Sequence, residues 1–388
     1  MKDIELYLHI PFCARKCEYC DFLSAPAGRE VQRAYKEALK REIRSFKQDE
    51  PYRAATVFFG GGTPSLLPGE WIAELMEALH DKFSFAPDAE ISIECNPGTA
   101  DEKKLLTYRQ AGINRLSIGL QSADDRELAL LGRIHTWEDF CRIYEEAREA
   151  GFSNINVDLM SALPMQSEES WERTLRSVLA YQPEHISAYS LIIEEGTPFY
   201  EKYRADDEQR AKGEKPIYLP DEEEERRMYK RTKELLSRAG MHRYEVSNYA
   251  KDGYECRHNK GYWQGVPYIG FGLGAASLMD DIVLGKRVRY KKTDSLDAYL
   301  SGDFSQKDRQ LLTQGEEMEE FMFLGLRLTE GVSASQFERR FGTSVDAVYG
   351  KALKRQQELG LLKKCGERIF LTPRGMDVSN MVMSEFLL

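Results

Sequence analysis

Three cysteines set the chemistry open to this chain. Cys13, Cys17 and Cys20 stand at C-x3-C-x2-C spacing, among seven cysteines in 388 residues, directly after a short apolar strand pattern. Pro11 ends that strand because it lacks the N–H that a ladder needs. The three thiols therefore share one tight loop and can point at one centre. Three thiolates satisfy three irons of a [4Fe–4S] cube and leave the fourth iron open to an outside ligand. A structural zinc ion asks for four protein ligands. No fourth cysteine follows, and His9, the nearest candidate, belongs to the strand.

Other reactive residues fall at recurrent places. Gly60-Gly61-Gly62-Thr63-Pro64-Ser65 follows the second expected strand. Its glycines let backbone approach a ligand closely and leave N–H groups free, although a tight strand-to-helix turn would use the same residues. The next three strands end on Glu94, Gln121 and Asp158. One such polar end is ordinary packing; three in succession suit a polar ligand. Arg133 follows the fourth strand and reads equally as a solvated surface arginine. Further on, His258 lies in Cys256-Arg257-His258-Asn259-Lys260-Gly261-Tyr262-Trp263, ahead of the glycine-rich 270–274. A histidine in an aromatic, loop-like setting suits a ligand to a flat macrocycle or a packed lid, with Cys256 the rival ligand.

These groups need elements to hold them. Strand patterns cover 4–10, 56–60, 90–95, 115–121, 154–160 and 185–192, and helical patterns cover 31–46, 70–82, 101–110, 138–150 and 170–180. Gly112 and Gly151 sit where helices should stop. Six strands with helical crossovers specify a parallel sheet, whose chemistry belongs at the C-terminal strand ends. A strongly charged stretch over 201–231 reads as a solvated excursion and a helix face; a helix to 239 and a short strand at 244–246 follow. Helices are expected at 310–328, 333–341 and 345–359, then a two-stranded tail at 361–364 and 368–371. The natural division is 1–200, 201–305 and 306–388.

The stretch from Tyr7-x-His9-Ile10-Pro11-Phe12-Cys13 to Cys20 resembles the radical S-adenosylmethionine (SAM) family, within its coproporphyrinogen-dehydrogenase-like branch, which includes haem chaperones. The resemblance implies an α/β fold: a partial (β/α)6 TIM-type barrel with a small helical, winged-helix-like C-terminal domain. It implies a [4Fe–4S] cluster on Cys13, Cys17 and Cys20, and SAM on Tyr7, Tyr19, Gly61, Gly62, Thr63, Glu94, Gln121, Arg133 and Asp158. In this family SAM on the open iron gives a 5′-deoxyadenosyl radical, and the arginine reaches the SAM carboxylate. Ile192 and Ala276 match more loosely. In the dehydrogenase some of these positions hold a second SAM, so the number bound here stays open. The resemblance also implies haem contacts from His258, Asn259, Tyr262 and Trp263.

Two departures separate this chain from the dehydrogenase: Phe22 replaces a further cysteine two positions after the third, and only six residues precede Tyr7. The expectation is a haem chaperone that hands haem to acceptor apoproteins, membrane respiratory enzymes among them, with no catalytic residue assigned. The alternative is an oxidative enzyme acting on coproporphyrinogen III. A zinc-dependent DNA-binding protein fits the cysteines and the wing but neither the glycine turn nor the charge. Net charge −10 argues against a phosphate-backbone binder. No apolar run approaches the ~18–20 residues of a membrane span, and an odd cysteine count suits the reducing cytoplasm. Homodimerisation stays open.

Overall fold

The computed structural model describes residues 1–47, 51–281 and 283–388. Its first half alternates strand and helix: β1 (Lys2–Ile10), α1 (Arg29–Ser45), β2 (Tyr52–Gly61), α2 (Gly69–Lys82), β3 (Ser84–Cys95), α3 (Glu102–Gln110), β4 (Arg115–Gln121), α4 (Asp125–Leu130), α5 (Trp137–Glu149), β5 (Ile155–Ser161), α6 (Glu168–Leu179) and β6 (His185–Ser190). Helix starts follow local chemistry. Asp101, Thr136 and Ser167 each accept a backbone N–H from the first turn, and Thr136 pairs with Asp139 in a capping box. Gly112 and Gly151 take φ of +92° and +88° just past α3 and α5, the left-handed stop that their positions promised.

Strands β1 to β6 lie side by side and parallel, in chain order. Their register pairs Ile10 with Gly61, Cys95 with Ile118, and Gly119 with Asp158. The polar strand ends therefore rise to one level. The ladder does not close on itself. It continues past β1 through β9 (Tyr268–Phe271), β10 (Ala276–Asp281), β11 (Lys286–Lys291) and β12 (Lys307–Leu311). On the other side β7 (His242–Arg243) and β8 (Asn248–Ala250) run antiparallel beyond β6. Strand β9 is parallel to β1 and the three after it are antiparallel.

Several expectations change here. The charged stretch after 200 is two helices, α7 (Pro198–Ala211) and α8 (Glu222–Arg238), the second begun by a capping box from Asp221 and Glu224. The strand expected at 244–246 is the bend between β7 and β8, and residues 310–311 end a strand rather than begin a helix. The stretch read as loop-like around His258 is a helix, α9 (Arg257–Gln264), and Gly270 lies inside β9. After α10 (Leu296–Leu300) come α11 (Gln314–Gly325), α12 (Ala334–Phe341) and α13 (Val345–Glu358). The expected two-stranded tail gains a third strand: β13 (Val332–Ser333) pairs with β15 (Arg368–Leu371), itself beside β14 (Leu362–Cys365). Helices α14 (Pro373–Asp377) and α15 (Ser379–Ser384) end the chain.

One hydrophobic core runs from Ile4 to Tyr299 and crosses position 200 without a break, through Met228, Leu235, Tyr249 and Phe271. A separate core of Met322, Phe337, Leu353, Ile369 and Phe386 holds the C-terminal helices to their sheet. No helix among the described residues is long and apolar enough to cross a membrane.

Helix α9 packs across the sheet floor with no room to spare. A Cβ on Gly261 would lie 1.7 Å from the Glu5 carboxylate. The neighbour is the end of a Glu5 side chain only 3% exposed in a central strand, so it must shift within a packed interior. Gly261→Ala should lower the thermal unfolding midpoint, at a cost of about 1–3 kcal/mol for overpacking. An unchanged midpoint would show that α9 is free to shift.

Candidate cluster and cofactor site

The C-terminal ends of β1 to β6 surround a cavity of about 520 Å³. Cys13, Cys17 and Cys20 line it, with Tyr19, Gly61, Gly62, Thr63, Glu94, Gln121, Arg133 and Asp158. The cysteine loop is fixed at several points: Cys13 N–H donates to Ala25 O, Glu18 N–H to Leu131 O, and Phe12 bridges Ala25. His9 is no fourth ligand, because its ring nitrogens face Tyr7 Oη and Leu23 O at 3.1 and 2.9 Å.

The glycine turn works differently from the sequence expectation. Its N–H groups are not free: Gly61 donates to Glu94 Oε2, Gly62 to Ile10 O and Thr63 to Phe12 O. What the glycines supply is closeness. A Cβ on Gly62 would sit 2.7 Å from Phe12 O and 3.0 Å from Cys13 Sγ, and Gly61 takes φ +114° with the His9 ring against it.

The sulfurs have polar company. Thr63 Oγ1 donates to Cys13 Sγ at 3.6 Å, and Arg133 donates to Cys17 Sγ at 3.7 Å. Arg133 is half-buried and also donates to Gly119 O and Asn96 Oδ1, so its head is engaged by the protein rather than simply solvated. Burial pushes the Cys20 thiol up, and the nearby Cys17 and Cys13 add to this. Among the described residues no three such side chains converge where a single ion would sit. A cube does not ask for that, since each cysteine binds a different iron.

Two carboxylates close the far side. Burial, with Asp158 close by, raises Glu94 to about 8. Asp158 is also raised by burial but accepts from Asn156 Nδ2 and Ser117 Oγ at 2.8 and 3.1 Å. Gln121 ends β4 at φ +74°, a conformation L residues rarely adopt, and accepts from Tyr189 Oη. Asn96, absent from the expected set, links Thr63 and Arg133; only its place one residue past β3 hinted at this.

Other expected residues lie elsewhere. Tyr7, His258, Asn259 and Tyr262 line a second cavity of about 200 Å³ beneath the first, which shares Glu94, Ser117 and Asp158 with it. His258 is 1% exposed. Its Nδ1 faces Thr56 Oγ1 at 2.6 Å and its Nε2 faces Tyr262 Oη at 3.1 Å. Burial first, then Arg115, lowers it to about 3. Cys256 is equally sealed, donates to Glu90 and is pushed up by burial to about 12. Trp263 points away, into a third cavity beside the C-terminal helices, with Arg327 over its ring at 4.3 Å. Ala276, also a loose match, begins β10; Ile192 lines the mouth of the main cavity.

Comparison with known proteins decides the family. A family model described as the radical SAM superfamily matches residues 7–178, and one described as the HemN C-terminal domain matches 312–378. The "Heme chaperone HemW" of Bacillus subtilis is 36% identical over 98% of this chain and 98% of its own length. The Escherichia coli protein of that name is 34% identical over 100% and 99%. The chain belongs to the HemW family of radical SAM proteins. A mitochondrial relative from Danio rerio, "Radical S-adenosyl methionine domain-containing protein 1", is 32% identical over 97% of this chain and 84% of its own. Coproporphyrinogen III oxidase (HemN) from Escherichia coli shares the fold, with a TM-score of 0.84 at 24% identity over 100% of this chain and 90% of that one.

The radical SAM fold of the HemW family carries a [4Fe–4S] cluster and SAM, and the cavity suits both. Three thiols on one short loop, with donors to two sulfurs, match a thiolate cluster. The raised Glu94 and hydrogen-bonded Asp158 offer acceptors for the cationic amino-acid end and the ribose hydroxyls.

Glu94 ties stability to pH. Its carboxyl rises from the ordinary 4.5 to about 8 in the fold, so the folded chain holds an extra proton across that window. Stability from this group is full below about pH 4.5 and is lost as pH rises through about 8. In the cluster-free protein, Glu94→Gln should flatten the fall in unfolding midpoint between pH 6 and 9. Parallel pH profiles for variant and wild type would refute the assignment.

Proposed function

We propose that this chain is a haem chaperone, binding haem and passing it to acceptor apoproteins, with a [4Fe–4S] cluster on Cys13, Cys17 and Cys20 and SAM beside it. The observation that carries the reading is likeness to "Heme chaperone HemW" proteins across the whole chain, 36% over 98% of both chains in one case. Phe22 supports it too. The dehydrogenase has a further cysteine there; this chain has an apolar side chain, 63% exposed, at the cavity mouth.

Within this proposal Tyr19, Gly61, Gly62, Thr63, Glu94, Gln121, Arg133 and Asp158 hold SAM, and Tyr7 supports the floor. A cluster and SAM held by these residues would supply 5′-deoxyadenosyl radical chemistry. Residues 1–200 form the barrel core, 201–305 its extension, and 306–388 a partner or lid unit of HemN type. The proposed location is the cytoplasm, and membrane respiratory enzymes are the proposed acceptors.

His258, Asn259, Tyr262 and Trp263 do not fit haem as they stand. The His258 nitrogens are both engaged, its cavity of about 200 Å³ falls below the roughly 300–1,000 Å³ of clefts for drug-sized ligands, and Trp263 faces another cavity. The buried thiol of Cys256 is no better placed. Haem binding is therefore proposed for the protein and not assigned to His258.

Anaerobic reconstitution tests these points on one sample. Cys17→Ala should lose the cluster's absorption and paramagnetic signals, while Cys141→Ala and Cys365→Ala keep them. Wild-type protein should bind haem with a Soret band, even with the cluster cysteines replaced, and should leave coproporphyrinogen III unconverted with SAM and reductant present. Turnover of that substrate would overturn the chaperone reading. His258→Ala should bind haem as the wild type does; weakened binding would show that α9 opens from the sheet to expose it.

A further inference from the structure

Between the cysteine loop and β4 runs a short chain of hydrogen bonds whose direction is set by chemistry alone. Arg133 has only donors, so the Asn96 atom that it meets at 2.7 Å must be Oδ1. The Asn96 amide is thereby oriented, and its Nδ2 donates to Thr63 Oγ1 at 2.9 Å. A hydroxyl that accepts there keeps its single proton for another partner, and Cys13 Sγ lies 3.6 Å away. The same Arg133 that orients Asn96 donates to Cys17 Sγ at 3.7 Å. Thr63 is 4% exposed and a Cβ on Gly119 would come within 2.6 Å of Asn96 Oδ1, while Asn96 and Arg133 line the main cavity. Asn96 is further held by its own N–H, which donates to Ser65 Oγ at 3.1 Å.

We infer that Asn96 is a positioning residue for the cluster, holding the Thr63 proton on Cys13 while Arg133 donates to Cys17, so that the cluster's reduction potential is raised. The inference rests on the reading that these cysteines hold a [4Fe–4S] cluster. Adding an electron puts negative charge onto the cluster and its sulfurs, and N–H or O–H groups aimed at those sulfurs stabilise the reduced form. The Thr63 donor thus depends on an amide that touches no sulfur. Replacing that amide by a carboxylate keeps an acceptor for Arg133 but gives Thr63 an acceptor in place of a donor. The hydroxyl proton then turns from Cys13 to the carboxylate.

The test is a redox titration of the anaerobically reconstituted protein without SAM, followed by the cluster's paramagnetic signal. At a fixed ambient potential, Thr63→Val and Asn96→Asp should each lower the ratio of reduced to oxidised cluster tenfold or more, equivalent to 59 mV or more for one electron. Thr63→Ser, which keeps the hydroxyl, should stay close to wild type. In the Thr63→Val background Asn96→Asp should lose most of its effect, because both act through one proton. Unchanged ratios, or two shifts that simply add, would overturn the relay. Failure of the wild type to assemble a cluster would instead overturn the reading on which it rests.

Discussion

The approach of the glycine turn after β2 to the cysteine loop after β1 governs the site. Gly62 lets Phe12 O and Cys13 Sγ come closer than any side chain would allow, and backbone bonds from Gly62 and Thr63 lock the approach. Those bonds aim the cysteine loop over the barrel mouth and bring Thr63 against a sulfur. Here glycine acts by omission: the turn's N–H groups bind its own protein, and the missing side chains let the turn and the cysteine loop meet at the cavity.

Burial gives those side chains unequal characters. Glu94 and Asp158 share both the main cavity and the one below, yet their surroundings differ. Asp158 has two side-chain donors, whereas Glu94 has one backbone N–H and the Asp158 charge beside it. One carboxyl is therefore neutral in the range where the other has help to ionise. The floor beneath is a continuous polar network: Asn156 links Ser117, Asp158 and His185, and His185 reaches Tyr244. Such networks hold only when their members are satisfied; beside it His258 is occupied separately, by Thr56 and Tyr262.

Much of this was legible in the sequence. The six parallel strands lay within a few residues of their expected places apart from β3's earlier start, and the cysteines, Glu94, Gln121, Arg133 and Asp158 all reach one cavity. Periodicity and strand-end logic carry such features because they depend on neighbours in the chain. Features decided by distant packing were not legible. Strand β11, Lys-Arg-Val-Arg-Tyr-Lys, is too charged to read as a sheet extension. The aromatic stretch around His258 read as loop-like, but it is a helix in which Gly261 sits against the Glu5 carboxylate. Asn96 was absent from the expected set, since its partners Thr63 and Arg133 lie 33 and 37 positions away.

Helix α9 has two ends in different surroundings. Its start is gripped by the Glu90 carboxylate, which accepts from the N–H groups of Arg257 and His258. Its far end carries Trp263 under Arg327 and Gln264 against Glu330, both beside the C-terminal helices. Eight residues of helix make a rod of about 12 Å, at roughly 1.5 Å per residue. A rod that short does not bend, so the barrel floor and the C-terminal unit are mechanically in series: a push on one is felt at the other.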